Sequence, residues 1–218
     1  MPEPTTLVAV GTGIVGLMTH LARRYFDLAK EVFDLVAGVA LLILTLPILG
    51  ICVLMAKISS RGPVLFTQVR VGRGGKPFRM YKLRTMYQDA ESATGAVWAS
   101  HRDPRVVPML RWLRRSHLDE LPQLLNVVRG DMSLVGPRPE RPEILAELEK
   151  AYPDIRKRLA VRPGITGLAQ IKNGYDTDLE AVRHKLRADL EYIEQRNWST
   201  ELRILAATVT KLNDRAAR

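Results

Sequence analysis

The stretch Val36 to Met55, VAGVALLILTLPILGICVLM, carries no charge. As one α-helix it would be about 30 Å long, the thickness of a hydrocarbon core. A helix buried in a soluble domain keeps a polar stripe over such a length, whereas this run is apolar on every side. It starts behind a charged segment, too late for a cleaved signal peptide. The segment therefore predicts membrane insertion. Pro47 lies past its middle, removes a backbone donor and clashes with the preceding turn. The two arms so defined are about 16 and 12 Å long, and neither reaches the far side alone. Arg23, Arg24 and Lys30 precede the run, and Lys57 and Arg61 follow it. The positive-inside rule draws both ends to the cytoplasm. A re-entrant hairpin satisfies both facts and a kinked spanning helix remains open; the residues alone leave the two level. Tyr25 to Asp34, charged and amphipathic, reads as an interfacial lead-in helix.

The rest of the chain must fold as a compact unit, because 218 residues suffice for one domain and an anchor. A net charge of +10 selects anionic partners: nucleic acid, lipid headgroups or phosphorylated small molecules. With aromatics at 6%, an extensive base-stacking platform is excluded. The single cysteine, Cys52, sits in the apolar run and reads as inert packing. His20, His101, His117 and His184 are scattered, and no Cys/His cluster has zinc spacing. Gly11, Gly13 and Gly16 form GxGxxG after Leu7 to Val10, the pattern of a dinucleotide-binding turn. The chain then enters the apolar segment instead of a second strand, so no βαβ unit can follow.

Beyond Gly62-Pro63, Val64 to Val71 alternates like a strand, Arg73 to Lys76 is a turn, and Phe78 to Leu83 is the returning strand of a hairpin. Residues 87–104 read as a polar loop. Arg105 to Arg115 has helical spacing, and a second helix is expected from near Asp119 to Val128. Val135 to Pro139 and Arg162 to Gly167 read as loops. Pro142 to Lys150, Ile155 to Ala160, Asp178 to Arg196 and Thr200 to Leu212 read as helices, with Trp198 at a membrane surface or a solvent-exposed cap. The fold class is α+β and predominantly helical: a membrane-embedded re-entrant helix broken at Pro47, and a small cytoplasmic globular domain with a short β-hairpin. Residues 1–29 form an N-terminal extension, 30–58 the re-entrant helix, and 59–218 a cytoplasmic catalytic domain with membrane-associated helices.

Chemistry concentrates in Ser116-His117-Leu118-Asp119-Glu120-Leu121-Pro122-Gln123. Pro122 is tolerated only in the first turn of a helix, which fixes the helix start near Asp119. The positive end of the helix then favours ionised Asp119 and Glu120. An ionised carboxylate can attack phosphorus or hold a metal; alone, an acidic pair at a helix start is ordinary capping. Attack on a pyrophosphate also needs positive charge on the phosphates. Arg114 and Arg115 stand just upstream. Arg138 sits between Pro137 and Pro139, which restrict its backbone, and its planar fork suits phosphate oxygens. Lys82 and Arg84 at the end of the second strand add charge. Magnesium is the natural partner of carboxylates near a diphosphate.

Four stretches together are similar to the bacterial sugar transferase family, the monotopic phosphoglycosyl transferases that start lipid-linked glycan assembly. They are the interrupted apolar helix, GPVLFTQVRVGRGGKPFRMYKLRTM (62–86), DPRVVPMLRWLRRSHLDELPQLLNVVRGDMSLVGPRPE (103–140) and RPGITGLAQI (162–171). The resemblance runs from about residue 30 to the C-terminus. It implies that Asp119 is a nucleophile that takes the sugar-phosphate from a UDP-sugar, releases UMP, and passes it to polyprenyl (undecaprenyl) phosphate. It implies that Glu120 assists through magnesium or proton handling, and that Arg114 and Arg138 hold phosphate. Asp119 and Glu120 are then the metal ligands. It also implies a re-entrant anchor with both ends cytoplasmic, hence the bacterial inner membrane. Partners on this reading are the UDP-sugar, polyprenyl phosphate and membrane lipid, with a homodimer allowed and no nucleic acid. In the family Ser commonly precedes the proline, and its hydroxyl covers a freed carbonyl. Here Leu46 holds that place, and Thr45 is the residue available to substitute. Larger members carry additional N-terminal membrane helices, which this chain is expected to lack. A membrane-anchored nucleic-acid-binding module and a non-enzymatic membrane scaffold are the competing readings. Neither requires a carboxylate pair.

Overall fold

The computed structural model describes residues 4–90, 103–172 and 179–212. The first element, α1, is a single helix from Pro4 to Ser59 with Pro47 inside it. It runs unbroken through the expected extension, the lead-in segment and the apolar run. The GxGxxG glycines lie within it and Leu7 to Val10 are helical too, so no nucleotide-binding turn forms there. The break expected at Pro47 is thus contained within one helix. Pro47 leaves the Ile43 carbonyl without its usual helical donor. The Thr45 hydroxyl does not cover it; it donates to Leu41 O at 2.7 Å and lies 3.3 Å from Leu42 O, in the turn before.

One face of α1 is covered by the rest of the chain on both sides of Pro47. Before it, Phe33, Ala37 and Leu42 pack on a core that includes Val127, Met132, Leu134 and Tyr192. After it, Leu49, Cys52, Met55 and Ala56 pack on Leu83, Val107, Leu110 and Leu113. Gly38 allows the close approach, because a Cβ there would lie 3.1 Å from Val127 Cγ1. The opposite face is bare: Val36, Ile43, Leu44, Ile51, Leu54 and Ile58 are all exposed. Only 11% of the most apolar stretch is buried.

Buried charges also fix α1. Lys30 Nζ is 2.8 Å from Glu201 Oε2. Asp34 accepts from Ser133 Oγ at 2.7 Å and from Leu134 N at 3.2 Å. The Tyr192 hydroxyl lies 2.7 Å from Glu201 Oε1 and 3.0 Å from Val135 O. Charges withdrawn from water this far are tolerated only when paired and hydrogen-bonded. Trp198 sits edge-on to Phe26 and Phe33, at 5.5 and 5.4 Å between ring centres, and so ties the C-terminal helix to α1.

The hairpin forms as its alternation predicts. β1 (Leu65–Val71) pairs antiparallel with β2 (Pro77–Leu83) through a turn at Arg73–Gly75, where Gly74 and Gly75 take positive φ. Most of the expected polar loop, 91–102, lies outside the described residues. The helix expected over 105–115 is shorter. Val106 bridges Met86, a 3₁₀ turn covers Pro108–Leu110, and α2 spans Arg111–Arg115. Pro108 is the cause, because it pushes Val107 out of the helical region, to φ −59 and ψ 122. The next expected helix likewise divides into a 3₁₀ turn at Leu118–Glu120 and α3 at Gln123–Val128, with Pro122 between them.

The segments read as loops near Val135 and Gly164 form a short parallel ladder instead, β3 (Ser133–Val135) with β4 (Gly164–Thr166). Glycine allows it: a Cβ on Gly164 would lie 2.1 Å from Gly136 N. The remaining elements are α4 (Pro142–Ala151), a 3₁₀ stretch at Pro153–Ala160, α5 (Leu168–Lys172), α6 (Leu179–Gln195) and α7 (Trp198–Leu212). The described residues are predominantly helical with two small sheets, and the segment 111–128 lies between α1 and the hairpin.

Candidate active site

The acidic pair is presented by a reversal of the chain. α2 ends at Arg115, and His117 adopts a left-handed conformation, φ 56, alone among the described non-glycine residues. The turn that follows carries Asp119 and Glu120 into the interior, 6% and 9% exposed. The two carboxylates then meet different surroundings. Glu120 Oε1 is 2.8 Å from Lys82 Nζ on β2. Its two oxygens also receive both terminal nitrogens of Arg138, one of them at 3.2 Å. Burial alone would raise the Glu120 carboxyl, but Arg138 and Lys82 outweigh it and hold Glu120 well below the usual carboxylate range.

Asp119 is the opposite case. Among the described residues no hydrogen bond or ion pair holds its carboxyl. Burial and then the charge of Glu120 push it up to about 7, against the pull of Lys82, Arg114 and Arg138. The expectation that a helix start keeps both groups ionised is corrected here. α3 begins only at Gln123, and desolvation dominates at Asp119. Two adjacent carboxylates driven apart in acidity are a recurring mark of a catalytic pair.

The Arg138 loop is held from behind. Arg158 donates to Arg138 O at 2.8 Å, Arg70 donates to Pro139 O at 2.9 Å, and Gly164 N donates to Pro137 O at 2.9 Å. Glu140, next in the chain, gathers Lys185 at 2.7 Å and Arg158 at 3.3 Å, and Arg158 also meets Asp189 at 2.7 Å. Nothing in local sequence pattern marks Arg70, Arg158 or Asp189 for this supporting role. Their contacts join distant segments.

The structure thus brings together Asp119, Glu120, Lys82 and Arg138, with Arg114 near enough to act on Asp119 electrostatically. Arg84 is placed elsewhere: its guanidinium donates to Ser60 O at 2.8 Å and Ser60 Oγ at 3.0 Å, at the end of α1. Leu118, next to Asp119, packs with Cys52 and Ala56 of α1, so the dyad lies beside the second arm of the apolar helix. Among the described residues, no cluster of three or more acidic, histidine or cysteine side chains is placed to hold a metal.

A buried carboxylate without a partner among the described residues, a second held by two cations, and an arginine loop braced from behind therefore lie together beside the apolar helix. A family model for bacterial sugar transferases matches residues 25–215, and the chain belongs to that family. It is 44% identical over 206 residues to an undecaprenyl-phosphate glucose phosphotransferase of Komagataeibacter xylinus, covering 89% of this chain and 38% of the relative. It is 42% identical over 194 residues to a UDP-glucose:undecaprenyl-phosphate glucose-1-phosphate transferase of Caulobacter vibrioides, covering 88% of this chain and 72% of that relative. A third relative, an exopolysaccharide production protein of Rhizobium leguminosarum, is 38% identical over 185 residues, covering 83% of this chain and 92% of the relative. The chain therefore spans little more than a third of the Komagataeibacter protein but most of the other two.

Proposed function

We propose that this protein transfers a sugar 1-phosphate from a UDP-sugar to undecaprenyl or a related polyprenyl phosphate, and so initiates lipid-linked glycan assembly. The observation that carries the reading is the contrast within the dyad: Glu120 is fastened by Lys82 and Arg138, whereas the Asp119 carboxyl is left without a bonding partner. An unfastened carboxylate can reach phosphorus. In the first half-reaction Asp119 attacks the sugar-side phosphorus, the bridging P–O bond breaks, and UMP leaves with the bonding pair. In the second, an oxygen of polyprenyl phosphate attacks the aspartyl phosphosugar, and the Asp119 carboxylate is released. Arg138, Lys82 and Arg114 offset the repulsion between the anionic nucleophile and the diphosphate.

Magnesium fits this donor set. It commonly takes one or two carboxylates and completes its shell with substrate phosphates and water. Asp119 and Glu120 would hold it, and once bound it supplies further charge neutralisation at the diphosphate.

The bare face of α1 is too large an apolar surface for a soluble monomer, and a lipid phase would cover it. One domain touches α1 on both sides of Pro47. A helix crossing the bilayer would carry one of those contacts away from the domain, so this arrangement supports a re-entrant anchor. With basic residues at both ends of the run, the domain lies on the cytoplasmic face. The polyprenyl acceptor is confined to the same membrane, which brings it to a site beside α1.

UDP-glucose heads the substrate panel, because the Komagataeibacter and Caulobacter relatives carry glucose in their names; UDP-N-acetylgalactosamine follows, from an Aeromonas hydrophila relative. The test is formation of a polyprenyl diphosphosugar from radiolabelled UDP-sugars in detergent or nanodiscs. Transfer of one sugar, lost in Asp119→Asn with membrane association intact, supports the reading. Undiminished turnover by Asp119→Asn refutes it.

A further inference from the structure

Glu120, Gln123 and Asn126 recur at intervals of three along the segment that carries the dyad. That segment is tightly wound. Leu121 N, Leu124 N and Leu125 N bond the carbonyls three residues back, at 3.3, 3.0 and 3.1 Å. Such winding places Glu120 and Gln123 on one side of the chain, and the three-residue spacing within α3 keeps Asn126 near that side. Both ends of the row meet β2: Glu120 takes the Lys82 ammonium, while Asn126 accepts from Tyr81 N at 3.0 Å and donates to Arg79 O at 2.7 Å.

Gln123 lies between them, 1% exposed, and neither its Oε1 nor its Nε2 has a hydrogen-bond partner among the described residues. A buried primary amide with both polar atoms unmatched is rare in a native interior and calls for a reason. A helical side chain leans toward the N-terminal end of its own segment, which here is the side of Glu120.

The proposed reaction supplies the reason. At rest the Glu120 carboxylate is satisfied by Lys82 and Arg138. A bound diphosphate would draw on those same two cations, and any Glu120 oxygen that magnesium did not take would then be left short of donors in a buried place. We propose that Gln123 is a positioning residue whose Nε2–H takes over a hydrogen bond to the Glu120 carboxylate when Lys82 and Arg138 turn to the diphosphate, keeping Glu120 in place beside Asp119. The inference rests on the reading of those cations as diphosphate holders.

The test compares Gln123→Met with the parent protein, alone and in a Glu120→Gln background. It uses thermal unfolding and single-turnover release of UMP from UDP-glucose. Expected is an unchanged or higher melting temperature, because an unmatched amide is removed, with kcat/KM lowered about ten- to a hundred-fold, the weight of one hydrogen bond to a charged group. In the Glu120→Gln background the further loss is about twofold or less, because the carboxylate that needed the donor is gone. An amide with a merely structural role would lower the melting temperature and cost the same factor in both backgrounds; that result, or wild-type kinetics for Gln123→Met, overturns the proposal. Arg138→Met separates the parent reading. If it leaves KM for UDP-glucose unchanged, the assignment of the cations to the diphosphate fails. If it raises KM while Gln123→Met is silent, only the role of Gln123 falls.

Discussion

Replacing Asp119 by asparagine should destroy activity and at the same time stabilise the folded protein. Burial pushes the Asp119 carboxyl from 3.8 to about 7. At about 1.4 kcal/mol per tenfold change in acidity, holding that group ionised in the folded state costs at most about 4 kcal/mol. Between pH about 4 and about 7 the folded state keeps a proton that the unfolded chain has already released. Stability therefore falls as pH rises across that window and levels off above it. Asp119→Asn removes the titration. Its advantage over the parent is small near pH 4, grows through pH 5, and is greatest above pH 7, where it is worth on the order of 10 °C in melting temperature for a chain of this size. Differential scanning fluorimetry in detergent and magnesium-free buffer at pH 5 and pH 8 measures the gap directly. A variant less stable than the parent at pH 8, or a gap that does not widen between the two pH values, refutes the assignment of a costly buried carboxylate.

Three further outcomes follow from the same geometry. The rate of UMP release should rise with pH through about 7, because only the ionised form of Asp119 attacks; a rate that falls over that range in a stopped-flow pH series contradicts the nucleophile. Lys30→Met strips Asp34 and Glu201 of their buried cation and should destabilise the protein by about 3–5 kcal/mol in denaturant titrations, whereas Lys150→Met, which breaks an exposed pair, should change stability by less than about 1 kcal/mol. Gly38→Leu forces a side chain into Val127 and should cost about 1–3 kcal/mol, with α1 more open to protease near the contact.

What the sequence revealed was what is local. The hairpin was legible because Val64 to Val71 alternates and two glycines follow at the turn. The apolar run announced an apolar surface on α1 but not which of its faces the domain covers, and Pro122 announced a helix start near the dyad, which the structure divides into a turn and α3. Lys82 and Arg138 could be nominated as cations, but their shared partner could not, since Lys82 and Glu120 are joined only by folding. The same holds for Arg84, whose charge suggested phosphate and whose place is beside Ser60. β3 and β4 were hidden because three-residue strands flanked by proline and glycine carry the composition of loops, and their pairing joins residues far apart in the chain. The raised pKa of Asp119 follows from its burial, which no spacing reports. The lock of Lys30, Asp34, Ser133, Tyr192 and Glu201 draws on four separate elements, and none of the five stands out in its own neighbourhood.

The most direct measurement omits the acceptor. Purified enzyme is mixed with labelled UDP-sugar in the absence of polyprenyl phosphate, quenched, and digested for mass spectrometry. A single burst approaching one UMP per active site, with a phosphosugar carried by the peptide containing Asp119 and missing from Asp119→Asn, is the expected result. Release of UMP only after polyprenyl phosphate is added, with no label on the protein, would mean direct transfer between substrates and would contradict a covalent role for Asp119.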